Sequence, residues 1–296
     1  MIKESRGKIS DELYALGAPA LPAYLLKGGT PVLFDSGMTF MGPTYLKELR
    51  EHLGEAGRLS HLLLTHSHFD HSGAAPYLKR NIPGLKVGAG KAAAETFRKA
   101  SAIQLIQNLS KAMEDAHGDR IGGEDVIFRG LEVDILLEDG DAIELSGTRI
   151  RVIATPGHTR DAVSYYLPGL KALVCGESVG SFNRDLTVRS VFLSSYRDYL
   201  MSLEKLKNLE IAFMLLGHGR YLTGEDAAGM VEKAIAATRE LKERVEAELR
   251  DSGGDQEAVV QKIFDEDYVQ RRMSDQDERP FLINLRAQVK AIAEGK

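Results

Sequence analysis

Thr65-His66-Ser67-His68-Phe69-Asp70-His71-Ser72-Gly73 follows directly on the run His61-Leu62-Leu63-Leu64. It places three histidines and a carboxylate within six positions, in a chain of 296 residues that holds only eight histidines. A short apolar run that ends in a polar cluster reads as a buried strand opening into a loop. Imidazole and carboxylate are the donors that borderline divalent metals prefer, and several must converge on one point to hold an ion. His66 and His68 alternate along the chain and can point together, while Asp70 and His71 lie in the turn that follows. The stretch is therefore read as part of a metal site.

Further donors are needed, and three segments supply them with the same local grammar. Ile150 to Ala154 alternates with period two and runs into Thr155-Pro156-Gly157-His158-Thr159. Ala172-Leu173-Val174-Cys175-Gly176 presents Glu177, and Ala212 to Leu216 leads into Gly217-His218-Gly219. Glycine beside a ligand permits close backbone approach and turns with positive φ.

In their order along the chain these motifs resemble those of the metallo-β-lactamase-fold hydrolases, over roughly residues 18 to 225. The resemblance implies a four-layer αββα sandwich with the metals at one edge, between two sheets. It also implies two divalent ions, zinc first, with iron or manganese as alternatives. His66, His68 and His158 would hold one ion, and Asp70, His71 and His218 the other. The Val32-Leu33-Phe34-Asp35 stretch matches the family's early strand ending in Asp, so Asp35 would orient a ligand imidazole through its other nitrogen. Where the family has a bridging Asp, this chain has Glu177, with the same charge on a longer stem.

Composition agrees with an ordinary enzyme. A net charge of −5 and an isoelectric point near 6.0 lack the basic footprint of nucleic-acid binding. The single Cys175 excludes an internal disulfide and a cysteine-based zinc site. The polar N-terminus carries no apolar export segment and no run is long enough to span a membrane, so a cytoplasmic protein acting on a small molecule is expected.

Other elements follow from pattern. A hairpin is predicted from Leu21 to Phe34 about Lys27-Gly28-Gly29-Thr30, and another from Val163 to Cys175 about Pro168-Gly169. A strand pair, Asp134 to Leu145 with Thr148 to Ala154, is placed about Asp139-Gly140-Asp141. Helices are predicted over Tyr45–Glu55, Gly73–Arg80, Lys91–Ala116 and Tyr196–Leu209. The strand signal ends at Gly219. The catalytic domain is thus set at residues 1–223 and a helical appendage at 224–296, with three helices broken at Ser252-Gly253-Gly254 and Ser274–Pro280. Met230, Ala234, Leu241, Val245 and Leu249 form an apolar stripe on the first.

That appendage resembles the C-terminal helices of the glyoxalase II and quinolone-signal response thioesterase branches. As a lid it would line the substrate site with Phe281, Leu282 and Arg286, joined by Arg160 and Tyr221. As an assembly element it would make a homodimer. The expected chemistry is hydrolysis of a thioester or ester, acyl-CoA type included, by a metal-activated hydroxide, with Asp70 as the catalytic carboxylate. Phosphodiester hydrolysis, a mononuclear iron oxidoreductase and a regulatory protein that keeps the site are the alternatives.

Overall fold

The computed structural model describes residues 1–296. Strand β1 (Ile2–Glu4) belongs to the second of two large sheets. The first sheet runs in chain order through β2 (Gly7–Lys8), β3 (Leu13–Ala18), β4 (Leu21–Leu26), β5 (Val32–Phe34), β6 (His61–Leu63), β7 (Lys86–Gly90) and β8 (Ile135–Leu137). The second contains β9 (Ala142–Leu145), β10 (Thr148–Ala154), β11 (Val163–Leu167) and β12 (Ala172–Gly176). A small separate hairpin, β13 (Ser181–Phe182) with β14 (Val188–Arg189), precedes its last strands, β15 (Phe213–Leu216) and β16 (Arg220–Thr223). Its spatial order is β1-β16-β15-β12-β11-β10-β9.

Side-chain alternation with period two sorts each strand between two layers. Leu13, Tyr24, Leu26, Phe34 and Leu63 meet Val152, Tyr165, Val174, Leu215 and Tyr221 between the sheets. Leu16, Leu25, Leu33 and Leu62 face the other way and are covered by α1 (Gly42–Leu53), α3 (Ala75–Asn81), α4 (Lys91–Thr96) and α5 (Ala100–Ala116). A single turn, α2 (Phe69–Ser72), precedes α3, and α6 (Gly118–Ile121) follows α5. On the far side Leu173, Cys175, Met214 and Leu216 are covered by α7 (Tyr196–Leu206) and the C-terminal helices. The layers are α, β, β, α, as the resemblance implies.

The tail comprises α8 (Glu225–Ala228), α9 (Met230–Asp251), α10 (Gln256–Ile263), a π-helical turn over Phe264–Gln270 and α11 (Glu278–Ala293). Met230, Ala234 and Val245 of the predicted stripe are buried in the same cluster as the sheet residues, with Leu241 and Leu249 packed against it. The stripe is thus satisfied within the chain. No helix is long and apolar enough to cross a membrane.

Four expectations need correction. Asp134–Leu145 is not one strand: β8 pairs with β7 and β9 with β10, in different sheets. Asp139-Gly140-Asp141 is the crossover between sheets, and the β9–β10 turn falls at Ser146-Gly147, where Gly147 has a φ of 83°. The strand signal does not end at Gly219, because β16 pairs with both β15 and β1. Helix 91–116 is interrupted at Phe97–Lys99 between α4 and α5. Pro280 stands in the first turn of α11, where a missing N–H costs little, and so does not break a helix.

Candidate metal centre

Every predicted donor lies just past the carboxyl end of a strand. His66 and His68 sit in the loop after β6, and Asp70 and His71 on α2. His158 follows β10, Glu177 follows β12 and His218 follows β15. Because β12 and β15 are parallel, their carboxyl ends open on the same edge. A bulge between Val174 and Gly176, with Gly176 at a φ of 50°, turns the chain just before Glu177. Gly157 has a φ of 134°, and a Cβ there would lie 2.3 Å from the Tyr199 Cα. Only glycine therefore fits the turn that presents His158.

The structure gathers all seven donors. His66, His68 and His158 form one group and Asp70, His71, Glu177 and His218 another, the donor atoms of each lying within 4.8 Å of one another. Glu177 Oε1 lies 2.9 Å from both His71 Nε2 and His218 Nε2, and 3.8 Å from His158 Nε2. Its other oxygen is 3.8 Å from His66 Nε2. His158 Nε2 lies 3.2 Å from His68 Nδ1, and His218 Nε2 3.5 Å from Asp70 Oδ2. Despite its longer stem, Glu177 reaches the donors of the Asp70 group and approaches the three-histidine group at 3.8 Å.

Four of the five rings are aimed by a contact at the far nitrogen. His66 Nδ1 meets Thr65 Oγ1 at 3.0 Å, and His71 Nδ1 meets Asp35 Oδ2 at 2.9 Å. His158 Nδ1 faces the Val191 carbonyl at 2.5 Å and His218 Nδ1 the Ala20 carbonyl at 2.7 Å. A proton on each Nδ1 leaves the Nε2 lone pair directed inward. Asp35, with φ of 60°, also accepts from the Thr65 N–H at 2.7 Å and from Thr65 Oγ1 at 2.8 Å. It thus contacts His71 directly and His66 through Thr65.

Charge is concentrated here. Burial pushes the Glu177 carboxyl up, but the surrounding imidazoles, His71 foremost, hold it well below its ordinary range. Burial opposes protonation of His71, yet Glu177 and Asp35 raise it well above the usual imidazole value. His218 is raised against burial by the Glu177 carboxylate. His66 is pushed well down by burial, and His68 is lowered to about 4 by burial and by His158.

The donor set fits a divalent cation. His66 Nε2 and Glu177 Oε2 are buried without any hydrogen-bond partner. Polar atoms left so are costly unless something completes them. Cations among the five imidazole nitrogens and two carboxylates do so, and nitrogen and oxygen donors suit zinc, iron or manganese.

The predicted substrate residues fare differently. Arg160 is exposed, two positions beyond His158. Tyr221 is 4% exposed and packs between the sheets, so it is a core residue and not a lining one. Phe281 packs against Phe264 and Tyr268, with ring centroids 6.1 and 5.0 Å away, and Leu282 lies against the same cluster. Arg286 on α11 pairs with Glu257 on α10, with Nη2 2.6 Å from Oε1. Phe281 and Arg286 thus have aromatic and ionic partners among the tail helices.

Gly217 leaves room for Glu177 and His71, the close approach expected of a glycine beside a ligand. Two supports have no place in the sequence reading: Tyr199 donates to the Glu177 carbonyl at 2.9 Å, and Asp161 accepts from the Ser67 N–H at 2.9 Å. Asp161 stands beside a visible motif, whereas Tyr199 carries no local signal.

The chain belongs to the metallo-β-lactamase superfamily, whose family model matches residues 20–218. Among its relatives is the "Probable metallo-hydrolase YflN" of Bacillus subtilis, 28% identical over 66% of this chain and 77% of that one. A hydroxyacylglutathione hydrolase of Methylococcus capsulatus is 29% identical over 71% of this chain and 66% of its own. An atrochrysone carboxyl ACP thioesterase of Aspergillus fumigatus is 25% identical, over 65% of this chain and 48% of its own. In fold the chain is similar to a metallo-β-lactamase family protein of Thermus thermophilus, with a TM-score of 0.68, 22% identity and 97% and 95% of the two chains covered.

Proposed function

We propose that this protein is a metal-dependent hydrolase of thioesters or activated esters, working with two divalent ions, zinc first among the candidates. The observation that carries the metal reading is the convergence of four anchored imidazoles on Glu177, with His66 Nε2 and Glu177 Oε2 left for an ion to complete. The thioester reading is supported by relatives named for thioester hydrolysis.

When bound, a divalent ion lowers the pKa of a coordinated water toward neutrality and polarises an acyl carbonyl. The chain's own part follows from the geometry. Its anchored rings keep the donors in one arrangement, so little reorganisation is needed during reaction. The Asp70 side chain is 19% exposed at the mouth of the cluster. From there its carboxylate orients the attacking water and accepts its proton as the oxygen joins the acyl carbon. The bond from that carbon to sulfur then breaks, and the thiolate departs without needing a strong acid to protonate it. Arg160, exposed beside His158, is available to a substrate at the rim.

The test is a purified, metal-analysed protein assayed against acyl thioesters, esters, lactones and phosphodiesters. Thioester turnover lost to a chelator and restored by zinc is expected. A His66→Ala, His68→Ala double variant should fold and lose metal. Faster phosphodiester turnover, or unchanged metal content in the double variant, would overturn the reading.

A further inference from the structure

Three polar side chains are buried in the tail: Thr238 on α9, Ser274 just ahead of α11 and Gln288 on α11. A polar group out of reach of water is costly unless it is hydrogen-bonded. All three meet the same two residues, Arg189 at the end of β14 and Ser190 after it. Ser190 Oγ lies 2.9 Å from Thr238 Oγ1, whose own proton goes to the Ala234 carbonyl at 2.7 Å, so Ser190 is the donor. Gln288 Nε2 donates to the Ser190 carbonyl at 2.8 Å. Arg189 Nη1 donates to Ser274 Oγ and to Gln276 Oε1, both at 3.1 Å. Apolar contact is non-directional, whereas hydrogen bonds tolerate only a narrow range of distance and angle. The apolar stripe on α9 therefore attaches the tail, and these polar contacts fix where residues 189 and 190 stand against it.

The next residue reaches the metal centre. The Val191 carbonyl faces His158 Nδ1 at 2.5 Å. A carbonyl only accepts, so the ring carries its proton on Nδ1 and keeps the Nε2 lone pair for an ion. Downstream, the N–H groups of Leu193, Ser194 and Ser195 all donate to the Gly157 carbonyl, at 3.1, 3.0 and 3.2 Å. Val191 is thus held from two sides, by the turn that carries His158 and by the tail. The contacts behind His66, His71 and His218 come from Thr65, Asp35 and Ala20, none of them in the tail.

We propose that Thr238, Ser274 and Gln288 are positioning residues for the metal donor His158, acting through the segment from Arg189 to Val191. This rests on the metal reading of the site. It gives the tail a task distinct from lining the substrate: it braces one donor of the three-histidine group and leaves the Asp70 group alone.

The experiment reads metal binding by the full chain, with no need of turnover. Thr238→Val keeps the shape and removes the hydroxyl, Thr238→Ser keeps the hydroxyl, and Gln288→Met keeps the length and removes the amide. Competition between zinc and a chelator gives the affinity of each ion, and the visible spectrum of the cobalt-loaded protein reports the geometry of its ligands. Thr238→Val and Gln288→Met should weaken one ion about 10-fold, the low end of the range for partners that orient ligands. That ion should be the one lost in His158→Ala, and the cobalt spectrum should change with it, while the other ion keeps its wild-type affinity. Thr238→Ser should restore both readouts. Wild-type affinities and spectrum in Thr238→Val and Gln288→Met, or an equal loss of both ions, would overturn the proposal. Should Gln288→Met not fold, the Thr238 pair decides.

If the wild-type chain binds neither metal, the metal reading fails, and the brace is read in the metal-free protein by NMR. The Nδ1 proton of His158, assigned by its absence from His158→Gln, should be protected from solvent exchange in wild type and in Thr238→Ser. It should exchange faster in Thr238→Val. Equal exchange in all three would refute the brace itself.

Discussion

Asp35 holds His71 from behind, its Oδ2 2.9 Å from the ring's Nδ1, while Nε2 of the same ring reaches Glu177. Asp35 also grips Thr65, whose hydroxyl meets His66, so one carboxylate supports a ring in each donor group. Asp35→Ala is expected to weaken metal binding about 10- to 100-fold, as removal of such orienting partners does. Titration with a competing chelator measures it. An unchanged affinity would mean the rings are aimed by packing alone.

Glu177 stands between the two groups, so its variants should act unequally on them. Glu177→Asp draws the carboxylate back from the 2.9 Å contacts with His71 and His218. It should release the ion of the Asp70 group before that of the three-histidine group. Glu177→Gln removes the charge and should weaken both. Stoichiometry by elemental analysis after graded dialysis is the readout, and wild-type content in both variants would make Glu177 a bystander.

Gly217 is a space requirement. A Cβ there would lie 2.9 Å from Glu177 Oε2 and 2.9 Å from His71 Cε1, in a backbone conformation that alanine can adopt. Gly217→Ala should cost about 1–3 kcal/mol by overpacking and displace these two side chains. Denaturant titration with metal analysis would show both effects, and a neutral result would mean the side chains yield freely.

The metal-free chain should be most stable near neutrality. His66 and His68 are depressed from an ordinary 6.5, His68 to about 4, so the unfolded chain takes up protons first and stability falls as pH drops below 6.5. Glu177 is also depressed, and its contribution disappears at still lower pH. His71 and His218 are raised, so their contribution is full below 6.5 and is lost as pH rises through their folded values. Urea unfolding in the presence of chelator across about pH 4.5 to 8.5 checks both imidazole limbs, these bounds being set 2 units either side of the ordinary value. A flat profile would show that the titrations are uncoupled from folding.

Met230 tests whether the tail stands apart. It is fully buried among sheet residues and tail helices alike. Met230→Ala should cost about 2–5 kcal/mol and shift one unfolding transition common to sheet and tail. Separate transitions would mark an independent appendage.

The chemistry of the centre was legible because its signals are local. Donor identity, the apolar run before each donor and the adjacent glycines all lie within a few residues, and the structure brings all seven donors together. The hairpins Leu21–Phe34 and Val163–Cys175 were equally legible, since the turn residues lie between the paired runs. Strand β16 was not: its four residues between Gly219 and Gly224 look like loop until Ile2 pairs with Leu222. Asp134–Leu145 has the composition of one strand, and only the competition of two sheets for its halves divides it.

By itself the sequence determined which atoms can hold a metal and on which strand ends they stand, for both are properties of short segments. Tertiary structure alone decided what aims those atoms, such as the Ala20 carbonyl behind His218 and the Val191 carbonyl behind His158. It also decided that Tyr221 packs between the sheets and that Arg286 pairs with Glu257. Hydrogen bonds and ion pairs between distant segments form only after the layers have packed, so no local pattern records them.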